Sequence, residues 1–414
     1  MGMKSKLAFR ILIACYVVFQ LATSVVLAAE PERVIAIGDV HGAFTEFLAI
    51  LQRVGLIDGN RQWTGGTTTL IQTGDIFDRG PQVRDCLDLL IELERQAQKQ
   101  KGRVIALFGN HEIMNIMGDL RYVTPEIYAG FTTEKSEEVR DRAYRDYVQF
   151  LSVHRSHGHP KDAEGETARQ NWIKDHPLGY FEYRDALGPR GKYGRWLREH
   201  HTIVQVGDGL FLHGGLNPQL QFRSVDALDK QVRSELENFD SIWQILSEKN
   251  VIWRYMELQQ ASQQVYGELK LPHEYTDIEE REVRSAMRSL LGINSWMAVS
   301  SEGPVWYRGL ALDPEDTLAG ALEKMLARLK ARYIVNGHNV SSKSDIIARF
   351  NNRVFLIDTG MLHKAYDGRP SALEIQDGRF TAYFADGEPK ALAVPPARSE
   401  RPSDAPDSRN LLDW

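Results

Sequence analysis

From Val34 to Asn110 the chain alternates short apolar runs with amphipathic stretches. Val34-Ile35-Ala36-Ile37 is wholly apolar and runs into Gly38-Asp39. Phe44 to Val54 then carries apolar residues at helical spacing. Thr68-Thr69-Leu70-Ile71 leads to Gly74-Asp75, and Val104-Ile105-Ala106-Leu107-Phe108 leads to Gly109-Asn110. Between these runs Pro81 opens a predicted helix through about Gln100, with proline in its first turn and Gly102 beyond its end. Strand, helix, strand, helix, strand is the pattern of βαβ units. It predicts a mainly parallel sheet covered by helices.

The pattern changes over residues 115–200, which are polar and loop-rich with scattered aromatic positions. Ile203 to Val206 and Leu210 to Leu212 follow, joined at Gly207-Asp208-Gly209, a hairpin signal. Residues 225–300 read as amphipathic helices with solvated charged faces, and Leu322 to Leu329 as another helix. Tyr333-Ile334-Val335 ends at Gly337-His338, and Val354-Phe355-Leu356-Ile357 at Asp358-Thr359-Gly360. Leu373-Glu374-Ile375 and Phe380 to Phe384 flank Asp377-Gly378 as a closing hairpin. Pro, Ala, Arg, Ser and Asp dominate from Glu388, so residues 388–414 are expected to be a disordered tail. One catalytic domain over residues 30–387 remains, with an insertion at about 115–200 and a helical segment at about 225–300.

Residues 1–29 stand apart. Lys4, Lys6 and Arg10 precede an uncharged run from Ile11 to Ala29, with small or apolar residues at Val26 to Ala29. This reads as a secretory signal peptide, so the protein is expected to be exported, to the periplasm or another extracytoplasmic space. The run is also long enough to span a bilayer core of ~30 Å if left uncleaved, and only then is membrane association expected. Cleavage removes Cys15 and leaves Cys86 as the single cysteine, read as a small buried side chain. Over the 414 residues, 43% hydrophobic and 26% charged positions suit a globular protein. A formal charge of −6 argues against nucleic-acid binding through general basic charge.

Ligands of open α/β sheets sit beyond the carboxyl ends of the strands. Those ends carry Gly38-Asp39-Val40-His41-Gly42, Gly74-Asp75-Ile76-Phe77-Asp78-Arg79-Gly80, Gly109-Asn110-His111-Glu112, His213-Gly214-Gly215 and Gly337-His338-Asn339. Asp39 and Asp75 are 36 residues apart, and Asp75 and Asn110 are 35 apart, each gap fitting one βαβ unit. Three strands therefore deliver Asp-x-His, Asp and Asn to one sheet edge. Carboxylate, imidazole and amide oxygen without thiolate suit Mn, Fe, Zn or Mg and disfavour a structural zinc site. Two such ions ~3.5–4 Å apart on a bridging carboxylate make a hydrolytic centre.

In that order and spacing these motifs resemble the calcineurin-like metallophosphoesterases, in the phosphoprotein phosphatase branch. Gly118-Asp119-Leu120-Arg121-Tyr122-Val123, Gly303-Pro304-Val305-Trp306-Tyr307-Arg308 and Ile357-Asp358-Thr359-Gly360-Met361 further resemble the Shewanella-like protein phosphatases. The resemblance covers roughly residues 33–385. It implies an α/β fold, a β-sandwich flanked by helices in α-β-β-α layers, with the insertion as a mainly helical and loop subdomain. It implies Asp39 and His41 on a first divalent ion, Asp75 as bridge, and Asn110, His213 and His338 on a second. His111 becomes the general acid and Asp78 its partner, while Arg79, Arg308 and Asn110 bind phosphate. The implied reaction is phosphomonoester hydrolysis through attack by hydroxide held between the ions, on phosphotyrosine or phosphoserine/threonine of a phosphoprotein or phosphopeptide. A small-molecule phosphohydrolase of the diadenosine-tetraphosphate type shares the core and stays open. A phosphoprotein-binding module without catalysis is disfavoured by the intact motifs.

The 102 residues from His111 to His213 leave room for the insertion, expected over or beside the cleft. His154, His157 and His159 read as a solvated loop, and His200 and His201 as structural. Asp119, Arg121 and Tyr122 are read equally as substrate contacts or as an ion pair with packing. Trp306 and Tyr307 are read as packing, and Asp358 as a support for the site.

Overall fold

The computed structural model describes residues 33–154, 165–271 and 277–397. The expected signal segment, His157, His159 and residues 398–414 lie outside them. Eleven strands among the described residues form two sheets. In the first, β1 (Arg33–Ile37), β2 (Thr69–Gln72) and β3 (Arg103–Ala106) are parallel, with Ile35 opposite Leu70 and Ile71 opposite Ile105. β9 (Ser371–Gln376), β10 (Arg379–Phe384) and β11 (Lys390–Leu392) extend it antiparallel, in the order β11-β10-β9-β1-β2-β3. The second runs β4-β5-β6-β8-β7, from β4 (Ile203–Val206), β5 (Gly209–Leu212), β6 (Tyr333–Asn336), β7 (Ile347–Arg349) and β8 (Val354–Leu356). Both sheets are thus mixed rather than mainly parallel. The chain's late strand β9 comes back from the second sheet to lie antiparallel beside β1, and a hairpin joins it to β10.

Burial accounts for the layers. Val34, Ala36, Ile71 and Leu373 of the first sheet share one core with Phe211, Val335 and Phe355 of the second. The alternate positions Ile35, Ile37 and Leu70 pack outward with Phe47, Leu87 and Leu90 of the helices Phe44–Arg53 and Val83–Lys99. Leu210, Leu212 and Ile334 do the same with Leu322 and Leu326 of the helix Glu315–Leu329. Side chains alternate across a strand, so each sheet feeds two cores and the α-β-β-α order follows.

The hairpin at Asp377-Gly378 is present, with both residues in the left-handed region as a tight two-residue turn requires. The helix expected from Pro81 begins at Val83, because Asp78 and Arg79 hold left-handed conformations and Gln82 N–H reaches back to the Gly42 carbonyl. Residues 388–397, expected to belong to the disordered tail, are ordered. β11 pairs with β10, and Arg332 and Arg353 donate to the carbonyls of Pro395, Pro396 and Ala397. Neither contact is visible in the composition of the segment.

The insertion is helical, at Pro125–Ala129, Ser136–His154, Glu166–Asp175, Tyr180–Leu187 and Lys192–Arg198. Its aromatic side chains continue the outer core of the first sheet, with Trp172 against Tyr144, Phe181 and Trp253. The 225–300 region forms the helices Val225–Glu248, Leu258–Lys270 and Ile278–Leu291. No helix among the described residues is long and apolar enough to cross a membrane.

Candidate active site

The turns after β1, β2, β3, β5 and β6 converge on one buried cluster of polar side chains. His41, Asp75, Asp78, Arg79 and His338 all take positive φ, between 48° and 70°. Such conformations cost on the order of 1–2 kcal/mol each outside glycine, so something must hold them. Gly74 adds φ +96°, and a Cβ there would lie 2.3 Å from the Gly109 nitrogen. Much of the holding is done by Glu112, which is fully buried. Its carboxylate accepts from the N–H groups of Asp75 at 2.8 Å, Ile76 at 2.7 Å and Gly109 at 2.7 Å. One side chain thereby ties the second strand-end turn to the third.

Asp75 stands at the centre. Its Oδ1 accepts the His111 N–H at 3.0 Å. Its Oδ2 faces His213 Nε2 at 3.3 Å, His41 Nε2 at 3.7 Å and His111 Nε2 at 3.8 Å. His213 Nε2 lies 3.0 Å from both Asn110 Oδ1 and His338 Nδ1, while its Nδ1 meets the Thr73 carbonyl at 3.0 Å. His41 Nδ1 likewise meets the Phe77 carbonyl at 2.7 Å. Those carbonyls can only accept, so each ring keeps its proton on Nδ1 and turns Nε2 inward. Two groups of mutually close donor atoms result, His41 with Asp75 and His111, and Asp75 with His213 and His338. Asp39 borders the first, with Oδ2 3.9 Å from His41 Nε2 and Oδ1 accepting the His338 N–H at 3.0 Å.

Burial and neighbouring charge shift most of the titratable groups of the cluster. Burial works against the Asp75 charge, but the neighbouring His213 and His111 hold its carboxyl well below the usual range. Burial also opposes protonation of His213 and His111, yet Asp75 pulls both up. Burial, with the charges of Asp358 and Asp75, pushes Asp39 well above the usual range, and burial pushes Asp358 up to about 6. Burial drives His41 down to about 3. His338 Nε2 is buried without a hydrogen-bond partner. Inward lone pairs around a shared carboxylate fit divalent ions.

His111 Nδ1 donates to Asp78 Oδ2 at 2.5 Å, which leaves its Nε2 on the side of Asp75. Arg79 lies at the mouth, its guanidinium about 5.3 Å from the ring centres of both Tyr122 and Tyr366. Its Nη1 meets His41 Nε2 at 2.5 Å and the Tyr366 hydroxyl. Arg308, exposed, donates to the His338 carbonyl at 3.2 Å and to Asn339 Oδ1 at 2.8 Å. Every residue singled out in the strand-end motifs therefore reaches this cluster or its rim.

Of the weaker signals, Tyr122 comes to the site, its ring 5.1 Å from that of His111, while Asp119 and Arg121 pair with each other at the surface. Trp306 stands 6.1 Å from the His338 ring, and Tyr307 packs into the core behind β5 and β6. His154 is buried against the Phe150 carbonyl, and His201 pairs with Asp229. Cys86 is buried and free. Four residues escaped the sequence reading: the supporting role of Glu112, and Asn115, Tyr183 and Tyr366. Asn115 lies four residues beyond His111 on one helix, a spacing that places both on one face. Tyr183 and Tyr366 carry no sequence signal that separates them from other tyrosines.

The profile of the family described as calcineurin-like phosphoesterase matches residues 32–342. Shewanella-like protein phosphatase 2 of Arabidopsis thaliana is 33% identical over 213 residues, 51% of this chain and 53% of that protein. Shewanella-like protein phosphatase 1 of Plasmodium berghei is 25% identical over 358 residues, 84% of this chain and 73% of that protein. Among solved structures, the cold-active protein-tyrosine phosphatase of a psychrophilic Shewanella species shares the fold. Its TM-score is 0.54 at 23% identity, covering 87% of this chain and 80% of that one.

Proposed function

Because the chain belongs to the calcineurin-like phosphoesterase family, and is thus a metal-dependent phosphoester hydrolase, we propose that it is an exported protein phosphatase working with two divalent ions. The observation that carries the reading is the position of His111. Its ring is anchored on Asp78 through Nδ1 and presents Nε2 3.8 Å from Asp75 Oδ2, on the His41 side of the cluster. Asp39, His41 and Asp75 would hold one ion, and Asp75, Asn110, His213 and His338 the other. Bound there, Mn, Fe, Zn or Mg ions supply Lewis-acid charge and a water of lowered pKa as nucleophile.

The remaining work falls to the chain. Arg79 holds the phosphate oxygens, its guanidinium flanked by Tyr122 and Tyr366, and Arg308, beside His338 and Asn339, is the second phosphate-binding arginine. Asn110 orients the phosphate from the helix start. His111 gives the proton on Nε2 to the departing oxygen, and Asp78 fixes the tautomer and stabilises the imidazolium. Phosphoprotein is the favoured substrate, on tyrosine or on serine/threonine, because two phosphatase-named relatives match the chain. The basic start and uncharged run of residues 1–29 support export.

The test is phosphate release by metal-free protein resupplied with Mn, Fe, Zn or Mg. Phosphotyrosine and phosphothreonine peptides are compared with a dinucleoside tetraphosphate, with Asp75→Asn as control. Metal-dependent turnover of the peptides, lost in the variant, is expected. Preference for the dinucleotide would redirect the reading to small-molecule hydrolysis.

A further inference from the structure

The fold does more behind His111 than hold Asp78. Asp78 is fully buried. Besides the bond from His111, both of its oxygens accept from Asn115 Nδ2, at 3.0 Å each. The same amide nitrogen donates to the His111 carbonyl at 2.9 Å. On its other side Asn115 Oδ1 accepts from the Tyr183 hydroxyl at 2.5 Å.

Charge fixes the polarity of this chain. A carboxylate can only accept, so the amide must turn its nitrogen to Asp78 and its oxygen to Tyr183. The phenol must then donate. Burial and the nearby Asp78 charge push the Tyr183 hydroxyl far above its ordinary value, so it keeps its proton. The phenol is itself immobile. Tyr183 is fully buried, and its ring meets Phe131 edge-on at 4.9 Å and Tyr128 edge-on at 5.4 Å. All three aromatic residues belong to the insertion beyond the helix Asn110–Met117, whereas Asp78 belongs to a core motif and His111 and Asn115 lie on that helix.

We propose that Asn115 and Tyr183 are positioning residues for the general acid. The insertion clamps the back of the Asp78–His111 pair through the relay Tyr183 to Asn115 to Asp78, and so sets the direction in which His111 Nε2 points. A free Asp78 carboxylate could rotate and carry the imidazole with it. With three donated contacts and a rigid phenol behind them, rotation breaks several buried hydrogen bonds at once. The insertion thereby acts from behind the cleft and not only at its rim. This inference rests on the phosphatase reading above for its consequence, but not for its geometry.

The test uses the full metal-loaded enzyme and Tyr183→Phe, which removes one oxygen and keeps the ring, with Asn115→Ala as the stronger variant. Turnover is measured on phosphate esters whose leaving groups range from dinitrophenol to an aliphatic alcohol. A good leaving group departs without a proton, and a poor one does not. Loss is therefore expected to grow with leaving-group pKa. For Asn115→Ala on alkyl esters it reaches roughly 10- to 100-fold, the usual cost of removing a supporting partner. It is only a few-fold on the dinitrophenyl ester. Tyr183→Phe follows the same trend with a smaller slope.

An independent readout is the low-field proton resonance of His111 Nδ1–H in the zinc-loaded, 15N-histidine-labelled protein. It should shift in both variants. Equal losses on every ester, together with an unmoved resonance, would overturn the proposal. A wild-type enzyme inactive on all esters would sink the phosphatase reading instead, and the resonance alone would then decide whether the relay holds the pair.

Discussion

The cluster around Asp75 and the back of the His111–Asp78 pair share the helix Asn110–Met117, yet they are built in opposite ways. The cluster draws its side chains from five strand-end turns in two sheets. The turns place their residues through backbone geometry, the left-handed φ of His41, Asp75 and His338 included, with Glu112 tying the second turn to the third. The back of the pair draws on a helix 68 residues further along, and its geometry depends on how the insertion packs. The first region is a property of the sheet scaffold, the second of a tertiary contact. The difference divides the labour between a hydrolytic centre fixed by the sheet scaffold and a proton donor whose aim the insertion can adjust.

Four changes would break or sharpen this contrast. Asp75→Asn should have the largest effect, because Asp75 is the only carboxylate common to both donor groups. Phosphate release should fall on the order of 10⁴-fold or more on every ester, since the ions are what bring a water near neutral pKa. A steady-state assay with activated and alkyl esters checks it, and a loss confined to alkyl esters would erase the distinction between the regions. His111→Asn should instead cost ~10²–10⁴-fold on alkyl esters and far less on a dinitrophenyl ester. The slope of log kcat against leaving-group pKa measures it.

Glu112→Ala strikes the residue the two regions have in common. Its carboxylate satisfies N–H groups of Asp75, Ile76 and Gly109, and hydrogen bonds to a charged group are worth about 1.5–3 kcal/mol each. Stability should fall by about 3 kcal/mol or more, seen as a lower denaturant midpoint at unchanged m-value. A variant as stable as wild type would mean that the strained turns hold themselves. Tyr366→Phe should have the smallest effect. It removes the hydroxyl beside Arg79 but keeps the ring face, and cation–π contact at an exposed site contributes only about 0.5–1 kcal/mol. KM should rise a few-fold with kcat nearly unchanged.

The same contrast explains what was legible in the sequence. Asp39, Asp75 and Asn110 could be read because each ends an apolar run, at the interval of one βαβ unit, and because local backbone geometry decides where such residues go. His213 and His338 follow the same logic in the second sheet. The mixed character of the sheets was not legible, because the pairing of β9 with β1 joins residues more than 330 positions apart. The ordering of residues 390–397 was hidden for a related reason. Arg332 and Arg353 satisfy that segment's carbonyls from elsewhere in the chain, and composition records only that it is rich in proline and alanine. Asn115 was within reach, four residues from His111 on one helix. Tyr183 was not, since nothing local distinguishes it from Tyr180, whose hydroxyl donates to the Tyr255 carbonyl from the same helix.

The most direct test of the central claim is a titration of Mn into the metal-free protein, followed by phosphate release from a phosphopeptide and by the metal bound per chain. The donor groups meeting at Asp75 predict that activity is absent without metal and rises to a plateau at two ions per chain. Turnover by the metal-free protein, or a plateau reached at a single ion, would contradict it.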